Sequence, residues 1–177
     1  MEQLQFSLRE ATERDLGAIA AIYAYHVLNG LGTFEEVPPD VAELGRRRSE
    51  VIGRGMPYLV AEAAGGAVVG YAYASLFRTR SAYRFSVEDS VYVAPGVVRH
   101  GIGRALLSDL IARCTEAGFR QIVAVIGDSG NAASIGLHAA LGYQRVGTLP
   151  AVGFKLGRWI DCILMQRSLG NGSATLP

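Results

Sequence analysis

The run Val91-Tyr92-Val93-Ala94-Pro95-Gly96-Val97-Val98-Arg99-His100-Gly101-Ile102-Gly103-Arg104 constrains this chain more than any other stretch. A strand ends, a turn follows, and the turn opens a helix that carries Leu106, Leu107, Leu110, Ile111 and Cys114 on one stripe. At such a helix start the first backbone N–H groups have no helical partner, and the helix dipole adds partial positive charge. Gly101 and Gly103 keep side chains away from that main chain, while Arg99, His100 and Arg104 add cationic character. The chemistry suits a diphosphate. On the Gly-x-Gly spacing alone, an ordinary strand-to-helix turn explains the stretch equally well. A dinucleotide fingerprint fits poorly, because Leu106 stands where its third glycine would be. A P-loop is excluded by the lack of Gly-Lys-Ser/Thr.

The rest of the chain surrounds this feature with alternating short elements. Strands are expected at Leu4 to Arg9, Tyr58 to Ala63, Ala67 to Leu76, Arg84 to Val93, Gln121 to Ile126, Gln144 to Thr148 and Trp159 to Gln166. Helices are expected from Leu16 to about Asn29, after Pro38-Pro39-Asp40, from Gly101 or Gly103 to Gly118, and from Ala132 to Leu141. The order β-α-α-β-β-β-α-β-α-β-β predicts a mixed sheet with helices on its faces. A length of 177 residues, half of them hydrophobic, suits a single packed domain over residues 1–169. The small, polar residues 170–177 are expected to form a flexible tail. A formal net charge of +1 is too balanced for a general nucleic-acid binder. Two cysteines, Cys114 and Cys162, argue against a disulfide framework and for a reducing cytoplasm. Residues 1–9 do not read as a signal peptide, and no apolar run approaches a bilayer span. His26, His100 and His138 show no metal-ligand spacing, so no metal is expected.

Alternation along Arg84 to Val93 sorts its side chains onto two faces. Phe85, Val87, Val91 and Val93 share one; Ser86, Glu88, Ser90 and Tyr92 share the other, more polar one. Asp89 falls on the apolar face, where a charge needs a partner or a local bulge. Glu88 is the candidate proton acceptor, or else a surface glutamate on an exposed strand face. The basic loop Phe77 to Arg84 places Arg78 and Arg80 where they either grip a carboxylate or stay solvated.

The glycine run resembles motif A of the GNAT-type acyl-CoA N-acyltransferases, in which Gln or Arg precedes Gly-x-Gly/Ala by two intervening residues; Val98 departs from it. Three further stretches, 84–93, 131–138 and 152–161, resemble the phosphinothricin and methionine sulfoximine N-acetyltransferase subfamily, and the similarity runs from Leu8 to Leu169. The resemblance implies an α/β (α+β) fold with a mixed, mostly antiparallel central sheet whose splayed strands form a slot for CoA. It implies a bulge at Asp89 and acetyl-CoA as co-substrate. It places Val91, Tyr92, Val93, Arg99, His100, Gly101, Ile102, Gly103, Arg104, Asn131 and Ser134 against that co-substrate. Glu88 would take the proton from an amine, and His138 would serve the leaving thiolate or the amine. Phe34, Arg78, Thr79, Arg80, Glu88, Asp89 and Ser90 would meet a small amino-acid-like acceptor, with Thr33 and Glu35 nearby. Residues 153–159 would lie near a homodimer interface. Two rivals predict different sensitivities. An acetyltransferase of protein or peptide amines would not need Arg78 and Arg80, and a non-catalytic acyl-CoA-binding module would not need Glu88.

Overall fold

The computed structural model describes residues 4–97 and 99–177. Val98, the atypical position of the glycine motif, lies outside the described residues.

Among the described residues, seven strands form one sheet: β1 (Phe6–Glu10), β2 (Tyr58–Ala63), β3 (Val68–Leu76), β4 (Ser86–Val93), β5 (Gln121–Gly127), β6 (Gln144–Lys155) and β7 (Arg158–Ser168). Their order across the sheet is β1-β2-β3-β4-β5-β7-β6. Only β4 and β5 run parallel; all other neighbours are antiparallel. That is the mixed sheet the element order predicts, mostly antiparallel as the resemblance implies. Four helices flank it: α1 (Leu16–Asn29), α2 (Val41–Gly53), α3 (Ile102–Glu116) and α4 (Ala132–Ala140).

The helices start where local chemistry allows. Asp40 caps α2 by accepting the Glu43 N–H at 2.8 Å, and Asn131 caps α4 by accepting the Ser134 N–H at 3.1 Å. The Thr12–Asp15 capping box is present, but it closes a short 3-10 turn that leads into α1. α3 buries Ile102, Leu106, Leu107, Leu110, Ile111 and Cys114 against the sheet. The apolar stripe read from the sequence is therefore its core face.

Side chains on β4 divide between the two helical layers. Tyr92 packs edge-on against Tyr23 of α1, with ring centroids 5.1 Å apart. Glu88 and Ser90 share that face by alternation. Asp89, Val91 and Val93 face α3 and α4: Asp89 bonds His138 of α4, and Val93 approaches Gly103 of α3.

Two expectations need correction. The ladder between β3 and β4 runs in unbroken register from Gly70↔Val93 to Leu76↔Val87, so the bulge expected at Asp89 is absent from it. Asp89 is accommodated by partners instead. β6 is far longer than Gln144 to Thr148, because a bulge between Leu149 and Gly153 carries the strand past Pro150. There Ala151 has φ +51° and donates its N–H to Asp161 Oδ1 at 2.9 Å. Beyond Leu169, the Gly172 N–H bonds the Leu169 carbonyl at 2.8 Å, and Arg120 reaches Thr175 and Leu176.

Candidate active site

Pairing between β4 and β5 ends at Asp89↔Ala124, although β4 continues to Val93 and β5 to Gly127. The two strands splay beyond that point. Against β3, Val93 pairs across from Gly70, and Ala94 N–H bonds the Val69 carbonyl at 2.9 Å. This register turns the Val91 and Val93 N–H groups away from β3 and into the splay. Around the opening lies a cavity of about 770 Å³, lined from the α3 start through β4 and β5 to the α1–α2 loop.

At one end of the cavity sits the glycine cradle. Gly101 adopts φ +80°, which favours glycine, and so turns the chain into α3. The first main-chain helical bond is Ala105 N–H to the Gly101 carbonyl, which leaves the N–H groups of Ile102, Gly103 and Arg104 free of helical partners. A Cβ on Gly103 would make only ordinary contacts, at 3.5 Å from Leu137 and Val93. Packing therefore does not demand glycine there; its absence of a side chain keeps the main chain bare toward the cavity. Arg99, Gly101, Ile102, Gly103 and Arg104 all line the opening, as do Asn131 and Ser134. The donor set fits a phosphate-bearing ligand. His100 is not among the lining residues; its Nδ1 faces the Leu4 N–H at 3.4 Å instead.

Glu88, Ser90 and Tyr92 line the middle of the cavity on the α1 side, together with Tyr73. No hydrogen bond reaches the Glu88 carboxyl from the described residues. Burial raises its pKa to about 7, helped by the negative charge of Asp89 and opposed by Arg78. Asp89 is treated quite differently. Its Oδ1 lies 2.9 Å from His138 Nε2, and its Oδ2 accepts the Tyr143 hydroxyl at 2.9 Å. His138 is buried, and its Nδ1 donates to the Ser134 carbonyl at 2.7 Å. Burial lowers the imidazole pKa, but the Asp89 carboxylate and the Ser134 carbonyl outweigh it and raise it overall. That direction favours an imidazolium donating from both nitrogens. His138 also lines the cavity, with Asp89 on one ring nitrogen and the Ser134 carbonyl on the other.

At the far end are Gly32, Thr33, Phe34 and Glu35, from the α1–α2 loop. Tyr23 Oη donates to Glu35 Oε1 at 2.9 Å and lies 3.0 Å from Thr33 Oγ1. Arg47 Nη1 reaches the same Glu35 oxygen at 2.6 Å. The expected Phe34, Glu88, Asp89 and Ser90 thus come together, but Arg78, Thr79 and Arg80 do not line the cavity. Arg78 is exposed and stacks over Phe77, 4.3 Å from the ring centroid. The site also contains residues the sequence reading missed. His26 Nε2 donates to the Val93 carbonyl at 2.8 Å, and Tyr23 and Tyr73 form part of the wall. His26 and Tyr23 were detectable only as members of α1's inward stripe.

A sheet that splays beside a bare helix start, with an acid in the gap, defines a class that sequence comparison identifies. Residues 8–164 match the acetyltransferase (GNAT) domain, and the chain belongs to that family. It is 56% identical over 171 residues to a phosphinothricin N-acetyltransferase of Alcaligenes faecalis, spanning 97% of this chain and 86% of that protein. It is 42% identical to an L-methionine sulfoximine/L-methionine sulfone acetyltransferase of Pseudomonas paraeruginosa, over 92% of this chain and 94% of that one. The solved structure of a phosphinothricin acetyltransferase from Sinorhizobium meliloti, in complex with acetyl-CoA, superposes with a TM-score of 0.94 at 53% identity, covering 97% of this chain and 92% of that one.

Proposed function

We propose that this chain transfers the acetyl group of acetyl-CoA to the amino group of a small amino-acid-like acceptor of the methionine sulfoximine, methionine sulfone or phosphinothricin type. The observation that carries the reading is Glu88: a carboxyl without a hydrogen-bond partner among the described residues, pushed up to about 7 by burial, in the middle of a cavity that starts at the α3 cradle. An amine attacks only when neutral, and an amino-acid amine is mostly protonated near neutral pH. A carboxylate with a pKa near the working pH is matched to accepting that proton.

Acetyl-CoA supplies the activated acyl group. The free N–H groups of Ile102, Gly103 and Arg104 hold its phosphates, with Arg99 and Arg104 as cationic neighbours. Asn131 and Ser134 flank its pantetheine arm, which runs along the Val91 and Val93 main chain. The Val93 N–H takes charge from the thioester oxygen, and His26 steadies it by holding the carbonyl of the same residue. Phe34, Thr33, Glu35 and Ser90 surround the acceptor, and Glu88 receives its proton. His138 acts by position, tying α4 to β4 through Asp89. The exposed loop of Arg78, Thr79 and Arg80 steers the acceptor's carboxylate by charge. Neither Cys114 nor Cys162 lines the cavity, which suits direct attack by the amine without an acyl-enzyme.

A homodimer is part of the reading. β6 is an edge strand, and it and the following turn and strand expose Val146, Leu149, Val152, Phe154, Leu156 and Trp159. Light scattering should return twice the chain mass. The setting is the cytoplasm, and resistance to a herbicide-like amino acid follows from acetylating it. Among the described residues no helix is long and apolar enough to cross a membrane, and no side-chain cluster suits a metal. Thiol release from acetyl-CoA over a panel of amino acids and peptides tests the activity. Release that depends on methionine sulfoximine or phosphinothricin is expected, and release with none of the amines contradicts it.

A further inference from the structure

Of the 17 Lys and Arg residues in this chain, Lys155 is the single lysine. It is also buried, at 2% exposure, near the end of β6. Its Nζ donates to the Thr33 carbonyl at 2.8 Å, across 122 residues of sequence. Burial lowers its pKa, against the pull of Glu36 and Glu35. A buried ammonium is costly to keep, so its bond must serve something. Arginine supplies every other strong cation, but its broad planar fork needs more room than a compact three-donor head.

The surroundings show what the bond serves. Thr33 belongs to the α1–α2 loop, whose Gly32, Thr33, Phe34 and Glu35 line the cavity. Gly153 shares the face of β6 with Lys155, and a Cβ there would lie 2.4 Å from the Phe34 ring. A Cβ on Gly127 would lie 2.2 Å from the Leu31 carbonyl oxygen. The loop is thus seated on β5 and β6 by two contacts that admit no side chain and one buried ammonium bond. On the opposite side, Arg47 and Tyr23 grip Glu35. The β6 bulge between Leu149 and Gly153 offsets the strand just before these contacts.

We propose that Lys155 is the positioning residue of the acceptor end. It pins the Thr33 main chain, fixes Phe34 over Gly153, and so sets the enzyme's affinity and selectivity for the acceptor without acting on acetyl-CoA. This rests on the reading of residues 32–35 as the acceptor end.

Two experiments on the full-length protein test it. In Lys155→Met, the acceptor KM should rise about tenfold or more, with the acetyl-CoA KM within about twofold, as expected for loss of one charged hydrogen bond. Lys155→Arg should recover the charge but not the fit, and show an intermediate acceptor KM. Equal changes in both KM values, or none, overturn the proposal. Hydrogen exchange gives a readout that needs no turnover and also covers a variant that is inactive. Amides of residues 31–36 in Lys155→Met should exchange about tenfold faster, while those of α3 and β4 stay unchanged. Unchanged exchange at 31–36, or faster exchange throughout, overturns the proposal. Absence of turnover in the unmodified protein contradicts the activity and leaves the exchange result to decide the role of Lys155.

Discussion

Glu88 and Asp89 are adjacent carboxylates on one strand, and the two faces of β4 treat them in opposite ways. Asp89 is buried with a full set of partners: His138, Tyr143 and, through His138, the Ser134 carbonyl. Glu88 is partly buried beside a cavity with no hydrogen-bond partner among the described residues, and its pKa is pushed up to about 7. A satisfied buried acid holds structure together. The proposed function has Glu88, unpaired beside the cavity among the described residues, take the acceptor's proton. The difference is one residue of register, which turns Asp89 toward α3 and α4 and Glu88 toward α1.

The largest effect should come from Glu88. Glu88→Gln keeps the shape and removes the base, so kcat/KM for the acceptor should fall by roughly 10²- to 10⁴-fold. Acetyl-CoA binding, measured by calorimetry, should be retained. A loss of less than about fivefold would break the contrast, because Glu88 would then be a bystander. Asp89→Asn attacks the other side. It breaks the buried contacts of Asp89 with His138 and Tyr143 and should cost roughly 3–5 kcal/mol in urea unfolding. A cost near zero would mean that Asp89 is no strut.

The stability of Glu88→Gln sharpens the contrast further. A carboxyl whose folded pKa is raised binds its proton more tightly in the folded state, so wild-type stability falls as pH rises from about 4.5 through about 7. Glu88→Gln should therefore match wild type near pH 4 and exceed it near pH 8, by up to about 3 kcal/mol. No pH-dependent difference between the two proteins would contradict the raised pKa. The smallest effect belongs to Arg78. Its charge opposes the rise at Glu88, so Arg78→Ala should move the Glu88 midpoint slightly upward. A downward movement would mean that Arg78 is not felt there.

Much of this arrangement was legible before any coordinates. Alternation alone put Glu88 and Asp89 on opposite faces, and the apolar neighbours of Asp89 signalled that it needs a partner. The glycine run and the stripe on α3 located the cradle. What remained hidden depends on contacts distant in sequence. Nothing near Tyr143 says that its hydroxyl meets a carboxylate 54 residues away. The role expected for His138 came from the family resemblance, and nothing local to it foretold that its ring nitrogens meet Asp89 and the Ser134 carbonyl. The basic loop Phe77 to Arg84 left open whether Arg78 and Arg80 grip a carboxylate or stay solvated; the turn at Ser81–Tyr83 leaves both on an exposed loop. The expected strand stopped at Thr148, because the capping of a bulge by Asp161 is not written in local propensity.

The most direct measurement is a carbon-13 titration of the Glu88 carboxyl in glutamate-labelled protein, assigned by its disappearance in Glu88→Gln. The free enzyme should show a midpoint near about 7. A midpoint at the ordinary glutamate value of about 4.3 would contradict the claim that this strand holds one acid in readiness and the other in place.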